Sequence, residues 1–205
     1  MRITKLSPQR RNSRRISVFL DGKYSFSLDD KTAAALGLAV GAEIEPADLD
    51  RVLDADELQR AKDYALLLLS YRARTEYELV KRLSRKEFRP RIVAAAVGRL
   101  KELRLVDDAK FARDYAQDRV RLGQRGRRMV ELELTRLGVS REDVARALEE
   151  SPDEVGAARD VVRRLDARYR GLDPSVRRRR LYAALGRRGF SLDTVREVLA
   201  TPEDE

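Results

Sequence analysis

Apolar positions recur along the chain with one long period. Leu79, Leu83, Phe88, Val93 and Val97 are matched 51 residues later by Val130, Leu134, Val139, Val144 and Leu148. Adding 51 again gives Leu181, Leu185, Phe190, Val195 and Leu199. Five aligned positions, three times over and without gaps, mark stacked supersecondary units that cannot bury their apolar faces alone.

The spacing inside each copy predicts two helices. Leu79 and Leu83 lie four apart, as do Val93 and Val97, so each pair shares one helix face. Phe88 sits in the connection. In copies two and three that connection carries Gly138 and Gly189, followed by Ser140 and Ser191. Glycine past a helix end accepts the left-handed conformation, and serine then caps the next helix. Copy one has Glu87 and Arg89 instead, which predicts a strained or differently shaped turn, with Pro90 in the first turn of the helix that follows.

The first 56 residues follow another pattern. Ile16–Leu20 alternates, as does Lys23–Leu28, around Asp21-Gly22. A three-residue loop, Leu20-Asp21-Gly22, is expected to pair Val18 with Tyr24 and Ile16 with Phe26, with Gly22 in a left-handed bulge position. A lone hairpin is marginal in water, so Ile3–Leu6 and Glu43–Ile44 are candidates to extend the sheet. Asp29 or Asp30 caps a short helix ending at Gly37, and Gly41 marks a turn. This is a small α+β head.

Pro46 starts the helical part. Asp54 with Glu57 resembles a capping box, before an apolar stripe at Leu58, Ala61, Tyr64, Ala65 and Leu68. Thr75 with Glu78 is a second box, and Pro90–Leu103 a further helix. Asp107 and Asp108 cap the next, with Phe111, Ala112 and Tyr115 inward. Gly123 and Gly126 bracket a turn. Ser151-Pro152 with Glu154 opens a helix that buries Val155, Val162, Leu165 and Tyr169, and Gly171 with Asp173-Pro174 makes the next turn. The acidic tail Thr201–Glu205 is expected to fray. The fold expected is mainly α: three tandem three-helix repeats in an elongated array, nine main helices, behind the small α+β head with its β-hairpin. The divisions expected are 1–56, 57–106, 107–150 and 151–205.

Composition narrows the function classes. There is no cysteine and no histidine among 205 residues, which removes disulfides, thiol chemistry and the commonest general acid/base and metal ligand. No apolar run approaches the roughly 18 residues of a membrane span, and the basic start has no apolar segment behind it, so no secretory signal is read. A cytoplasmic protein without a membrane partner is expected. Net charge is +9, carried by 36 Arg and 8 Lys against 35 acidic residues. Residues 1–56 balance at 9 basic and 9 acidic, so the surplus lies in the helical part. Such a surplus favours anionic partners, and the guanidinium fork suits phosphate and carboxylate.

Specific chemistry is sparse. No Walker motif or glycine-rich dinucleotide loop is present. Asp107-Asp108 reads as an N-cap and not as a metal site. Tyr64, Tyr115, Tyr169 and Tyr182 fall at or beside apolar stripes and read as core packing. Catalytic residues, metal sites and cofactors are therefore not expected. The arginines remain. Arg72 and Arg74 flank the first turn of copy one. Arg119, Arg121, Arg125, Arg127 and Arg128 surround the equivalent turn of copy two. Arg177, Arg178 and Arg180 lie on the second helix of copy three. Arg10, Arg11, Arg14 and Arg15 precede the hairpin, where a solvated basic strand is an equal reading. A row of modules with a recurring basic corner suits a long anionic or polymeric partner better than a small substrate.

Several stretches resemble the RecX family of recombinase regulators. They are Leu68–Arg74 with Thr75-x-x-Glu78-Leu79, Leu105-Val-Asp107-Asp108-x-x-Phe111-Ala112-x-x-Tyr115, and Gly126 with Glu133-Leu134 and Gly138-Val139. The resemblance covers about residues 57–200, and Glu87 departs from the usual loop glycine. It implies a non-enzymatic modulator that binds RecA-type recombinase filaments on single-stranded DNA and restrains strand exchange, ATP hydrolysis and co-protease activity, in the regulation of DNA repair; a monomer is expected. Two other readings stand beside it. One is a stand-alone DNA-binding protein of tandem helix-turn-helix-like units, with duplex DNA as partner. The other is a carboxylate-metal nuclease, disfavoured by the missing His and Cys.

Overall fold

The 51-residue period is built as helix triplets, seen in a computed structural model that describes residues 1–9, 12–122 and 125–200, apart from the side chains of Asn12, Ser13 and Ala47. Arg10, Arg11, Gly123 and the tail Thr201–Glu205 lie outside the described residues. The helices are α1 (Asp30–Ala35), α2 (Pro46–Tyr71), α3 (Glu76–Ser84), α4 (Pro90–Glu102), α5 (Asp108–Arg121), α6 (Arg127–Arg136), α7 (Arg141–Glu149), α8 (Glu154–Tyr169), α9 (Pro174–Arg187) and α10 (Leu192–Ala200). The nine from α2 onward form the three expected triplets. Two compact units result: Met1–Ala73 with Leu79–Val106, and Arg74–Glu78 with the chain from Asp107 onward.

The first unit holds the head. Strands β1 (Ile3–Gln9), β2 (Asn12–Leu20) and β3 (Lys23–Asp29) form an antiparallel sheet in chain order. The hairpin register differs from expectation. Asp21 and Gly22 make a two-residue turn, both at positive φ (49° and 82°), and Leu20 pairs with Lys23. The face mismatch this creates is repaired by a register shift between Val18 and Phe19, so that Val18 pairs with Phe26 and Ile16 with Leu28. Ser25 is the extra residue. Val18 and Phe26 thus share the buried face, while Tyr24 is left 58 % exposed, edge-on to Phe19. Ile3–Leu6 joins the sheet as expected, and Glu43 contributes a single bridge to Arg2. Asp29 caps α1 and Gly37 follows it at φ 63°.

Asp54 and Glu57 do not start a helix. Helix α2 runs unbroken from Pro46 to Tyr71, so the division expected between residues 56 and 57 falls inside it. These carboxylates serve α4 instead. Glu57 accepts the backbone N–H of Arg89 at 2.7 Å and its Nε at 2.5 Å, while Asp54 pairs with Arg89 and Arg91. Arg89, the N-cap of α4, has no side-chain cap of its own, so a carboxylate from a neighbouring helix supplies it. Asp56, 5 % exposed, accepts the backbone N–H of Asp29 at 2.6 Å and ties α2 to the end of β3.

All fifteen anchor positions reach apolar cores. Twelve are buried, and Phe88, Leu148 and Leu199 are partly buried against them. Residues of α2, α3 and α4 form one cluster in the first unit. In the second unit α5 to α10 share a single cluster, so copies two and three have one continuous core. The connection before each central anchor has one shape. Glu87, Gly138 and Gly189 stand at φ 61°, 82° and 82°, and each donates its N–H to a carbonyl three residues back, of Ser84, Thr135 and Gly186, at 3.0 Å. The turn of copy one is therefore strained but not differently shaped: Glu87 occupies the glycine conformation.

Candidate functional site

The second unit contains a joint that is made twice. At its first occurrence Thr75 Oγ1 donates to the carbonyl of Leu137 at 2.6 Å, and Asp108 accepts the backbone N–H of Glu76 at 2.9 Å. Fifty-one residues on, Gly126 N–H donates to the carbonyl of Arg188 at 2.9 Å, and the N–H of Arg127 donates at 2.8 Å to Glu154, a carboxylate outside that period. Both times, the start of one helix donates to a turn carbonyl, through the Thr75 hydroxyl or the Gly126 N–H, and its first N–H group meets the carboxylate that opens a later helix. Those N–H groups have no partner inside their own helix, and the joint supplies one.

Close approach demands small residues here. A Cβ on Gly138 would lie 2.3 Å from Tyr77 Cβ. A Cβ on Gly126 would lie 2.2 Å from the Gly189 oxygen and the Phe190 nitrogen. Glu154 does more than close the joint. It is 6 % exposed and also accepts from Ser191 N–H at 3.2 Å and Thr194 Oγ1 at 2.7 Å. Burial pushes its pKa up, but the hydrogen bonds from Arg127, Thr194 and Ser191 outweigh that and hold it below the ordinary value. The expected roles shift accordingly. Asp107 alone caps α5 while Asp108 serves α3, and α8 is capped by Asp153 and not by Ser151.

The arginines expected to meet a partner sort into three groups. The first is neutralised within the protein. Arg74, its side chain 10 % exposed, stands 3.9 Å from Glu78. Arg119 lies over the ring of Tyr115 and 3.4 Å from Glu133, which also accepts the Tyr115 hydroxyl at 2.9 Å. Arg177 is bound to the buried carboxylate of Asp166. The second group is exposed or half-buried and has no carboxylate partner among the described residues: Arg121, Arg125, Arg127, Arg128 and Arg178. In the third, Arg72, at the end of α2, donates to the Ala73 carbonyl, and Arg180 covers the ring of Tyr169. Tyr64, Tyr115 and Tyr169 pack against the cores as expected, but Tyr182 is 47 % exposed. Helix α9 turns Tyr182 outward, one position past the buried Leu181.

Arg164, Arg187 and Arg188 were not singled out by sequence. Arg188 is half-buried at the end of α9, and its guanidinium donates to the Ala184 carbonyl at 3.0 Å. Burial lowers its pKa, as does repulsion from Arg125, Arg164 and Arg187. The gathering of four cations depends on the joint that brings Arg125 to Arg188, which no local pattern reveals. Among the described residues no three of His, Cys, Asp or Glu are grouped as metal ligands, and no helix is long and apolar enough to cross a membrane.

The repeated joint and the shared cores define a protein of tandem three-helix domains behind a β-sheet head. Comparisons place it more closely. Family models for the first, second and third RecX three-helix domains match residues 61–100, 107–148 and 153–199, and the model for the RecX N-terminal domain matches residues 1–45. A regulatory protein RecX of Levilactobacillus brevis is 32 % identical over 97 % of this chain and 75 % of its own length. The Bacillus subtilis regulatory protein RecX is 30 % identical over 94 % and 74 %. A Listeria monocytogenes relative of the same name is 32 % identical over 75 % of this chain, but only 57 % of its own length is spanned. A crystal structure of a regulatory protein RecX superimposes with TM-score 0.76 at 25 % identity, covering 98 % of this chain and 99 % of that one. The chain belongs to the RecX family.

Proposed function

We propose that this protein regulates RecA-type recombinase by binding its filaments on single-stranded DNA, restraining ATP hydrolysis, strand exchange and co-protease activity. Membership in a family of regulatory proteins carries this reading. The repeats give it a physical rationale. Tandem modules can engage neighbouring protomers of a filament, so affinity accrues through effective concentration. Preferential binding to one filament state then shifts growth against dissociation. The protein acts as a cytoplasmic monomer without catalysis of its own, divided for this purpose into a head (1–56) and three modules (57–106, 107–150, 151–205). Unpaired arginines such as Arg121, Arg125, Arg127, Arg128 and Arg178 support contact with an anionic partner.

The test is a recombinase ATPase assay on single-stranded DNA. Adding the protein should lower the rate in a saturable way, and an unchanged rate at saturation would remove this reading. Pull-down of recombinase with and without DNA and nucleotide separates filament binding from binding to the free subunit.

A further inference from the structure

We propose that Arg125, Arg164, Arg187 and Arg188 form one binding site for successive phosphates of a nucleic-acid strand. The inference rests on the reading above that nucleic acid is a partner, and it says where on the second unit the strand lies.

The site is assembled by the joint. Gly126 N–H to the Arg188 carbonyl (2.9 Å) and Arg128 N–H to the Gly189 carbonyl (3.3 Å) hold the two segments side by side. Arg125 and Arg188 flank that contact directly, and Arg187 precedes Arg188. Arg164 comes from α8, which packs against α9. Three further facts point outward from the protein. None of the four has a carboxylate partner among the described residues. Arg164 and Arg187 are exposed, and Arg125 and Arg188 are half-buried, so the cluster is reachable. Arg125, Arg164 and Arg187 each repel Arg188, adding to the larger effect of burial in lowering its pKa. The carboxylate Glu154, at the same joint, forms no ion pair with any of the four; its oxygens accept from Arg127 N–H, Ser191 N–H and Thr194 Oγ1.

Gathering four cations without a counter-charge costs the folded state. An external polyanion removes that cost. The fork of arginine binds a phosphate by two parallel hydrogen bonds. A nucleic-acid strand presents one negative charge at every nucleotide, so four like charges in a group meet four partners in sequence. A protein surface would have to crowd four carboxylates against each other to do the same. The helix end at Arg127 adds nothing, since Glu154 already occupies its N–H group. The side chains alone would hold the strand.

The experiment measures binding of a fluorescent oligothymidylate to the full chain, without recombinase, across a range of salt. The variant Arg125→Ala/Arg164→Ala/Arg187→Ala removes three members and keeps Arg188, whose guanidinium also holds the Ala184 carbonyl. The control Arg146→Ala/Arg163→Ala/Arg196→Ala removes the same charge from arginines already paired with Glu142, Asp160 and Asp193. The cluster variant should weaken binding at least about tenfold at 0.1 M salt and reduce the salt slope by about 2, since each phosphate no longer neutralised takes away about 0.7. The control should stay within about threefold. Equal losses in the two variants, or no binding by the unaltered protein, would overturn the site. So would an equal loss of polyglutamate binding, which would assign the cluster to acidic protein surfaces. If the variant does not fold, photo-crosslinking of a thiothymidine strand to the unaltered protein decides. Adducts at residues 125–128, 164 or 184–189 support the site, and adducts confined to other segments overturn it. The ATPase assay with the same variants keeps the two readings apart. Strand binding lost with recombinase inhibition intact upholds this site and separates it from regulation. Inhibition lost in all forms, with strand binding intact, removes the regulatory reading alone.

Discussion

The Glu154 carboxylate accepts the backbone N–H of Arg127 at 2.8 Å and so closes the start of α6 from a residue 27 positions away. Its other oxygen takes Thr194 Oγ1 and Ser191 N–H at the start of α10. One buried charge serves two helix ends. Glu154→Gln supplies one acceptor oxygen where two are used and turns an amide N–H toward a donor. Leaving such a donor unmet costs about 1–3 kcal/mol, and thermal unfolding of the purified variant should show that loss. The same carboxylate sets an acid limit. Its folded pKa is depressed, so its contribution is fully present above the ordinary glutamate range, about pH 4.3, and is lost as pH falls through the lower folded value. Stability measured against pH should decline below that range less steeply in Glu154→Gln than in the unaltered protein.

Gly126 is needed for want of space and not for its φ, which is −74°. Gly126→Ala should destabilise by more than about 3 kcal/mol, because the new methyl meets backbone atoms that cannot step aside. Gly98, inside α4 with nothing near its missing Cβ, is the comparison. Gly98→Ala should stabilise by about 0.5–1 kcal/mol from helix propensity alone. Denaturant midpoints of the two variants should move in opposite directions.

Glu87 holds a left-handed conformation with an exposed side chain. Relieving it by Glu87→Gly removes about 1–2 kcal/mol of local strain, offset in part by the greater freedom of glycine in the unfolded chain. A net gain near 1 kcal/mol is expected in chemical denaturation. A loss would mean that Glu87 makes a favourable contact of its own.

Arg125→Ala with Arg127→Ala and Arg128→Ala should weaken binding to the recombinase–DNA filament. It should change stability by no more than about 0.5 kcal/mol per site. None of these side chains pairs with a carboxylate among the described residues, and the backbone bonds of residues 125–128 survive the change. Calorimetry and filament pull-down together check both halves of the prediction.

The repeat could be read from sequence because it is written in large apolar side chains, which keep their spacing wherever they are buried. Leu83, Leu134 and Leu185 are each fully buried. The turn glycines and Ser140 and Ser191 were legible for the same reason, since cap chemistry is local. The carboxylates were harder. Asp54 and Glu57 have the spacing of a capping box, yet they sit within α2, where Glu57 takes the first N–H of α4 and Asp54 pairs with Arg89 and Arg91. Glu154 opens its own helix in sequence and closes two others in space. The hairpin register is not legible locally, because a two-residue turn and a bulge together satisfy the faces that either one alone would not. Arginine roles were least legible. Arg119 finds Glu133 and Arg177 finds Asp166 only after helices turn back on each other.

A partner diffusing in from solution does not sense the total of arginines. Where Arg177 is locked to Asp166, or Arg119 to Glu133, what reaches outward is a dipole, and its field fades faster with distance than that of a lone ion. Within a Debye length of about 10 Å at 0.1 M salt, the second unit therefore attracts chiefly through its uncompensated guanidiniums. Capture is set by how the arginines are mated, and neutralising one internal acid would alter it as much, in the opposite sense, as the loss of a surface base.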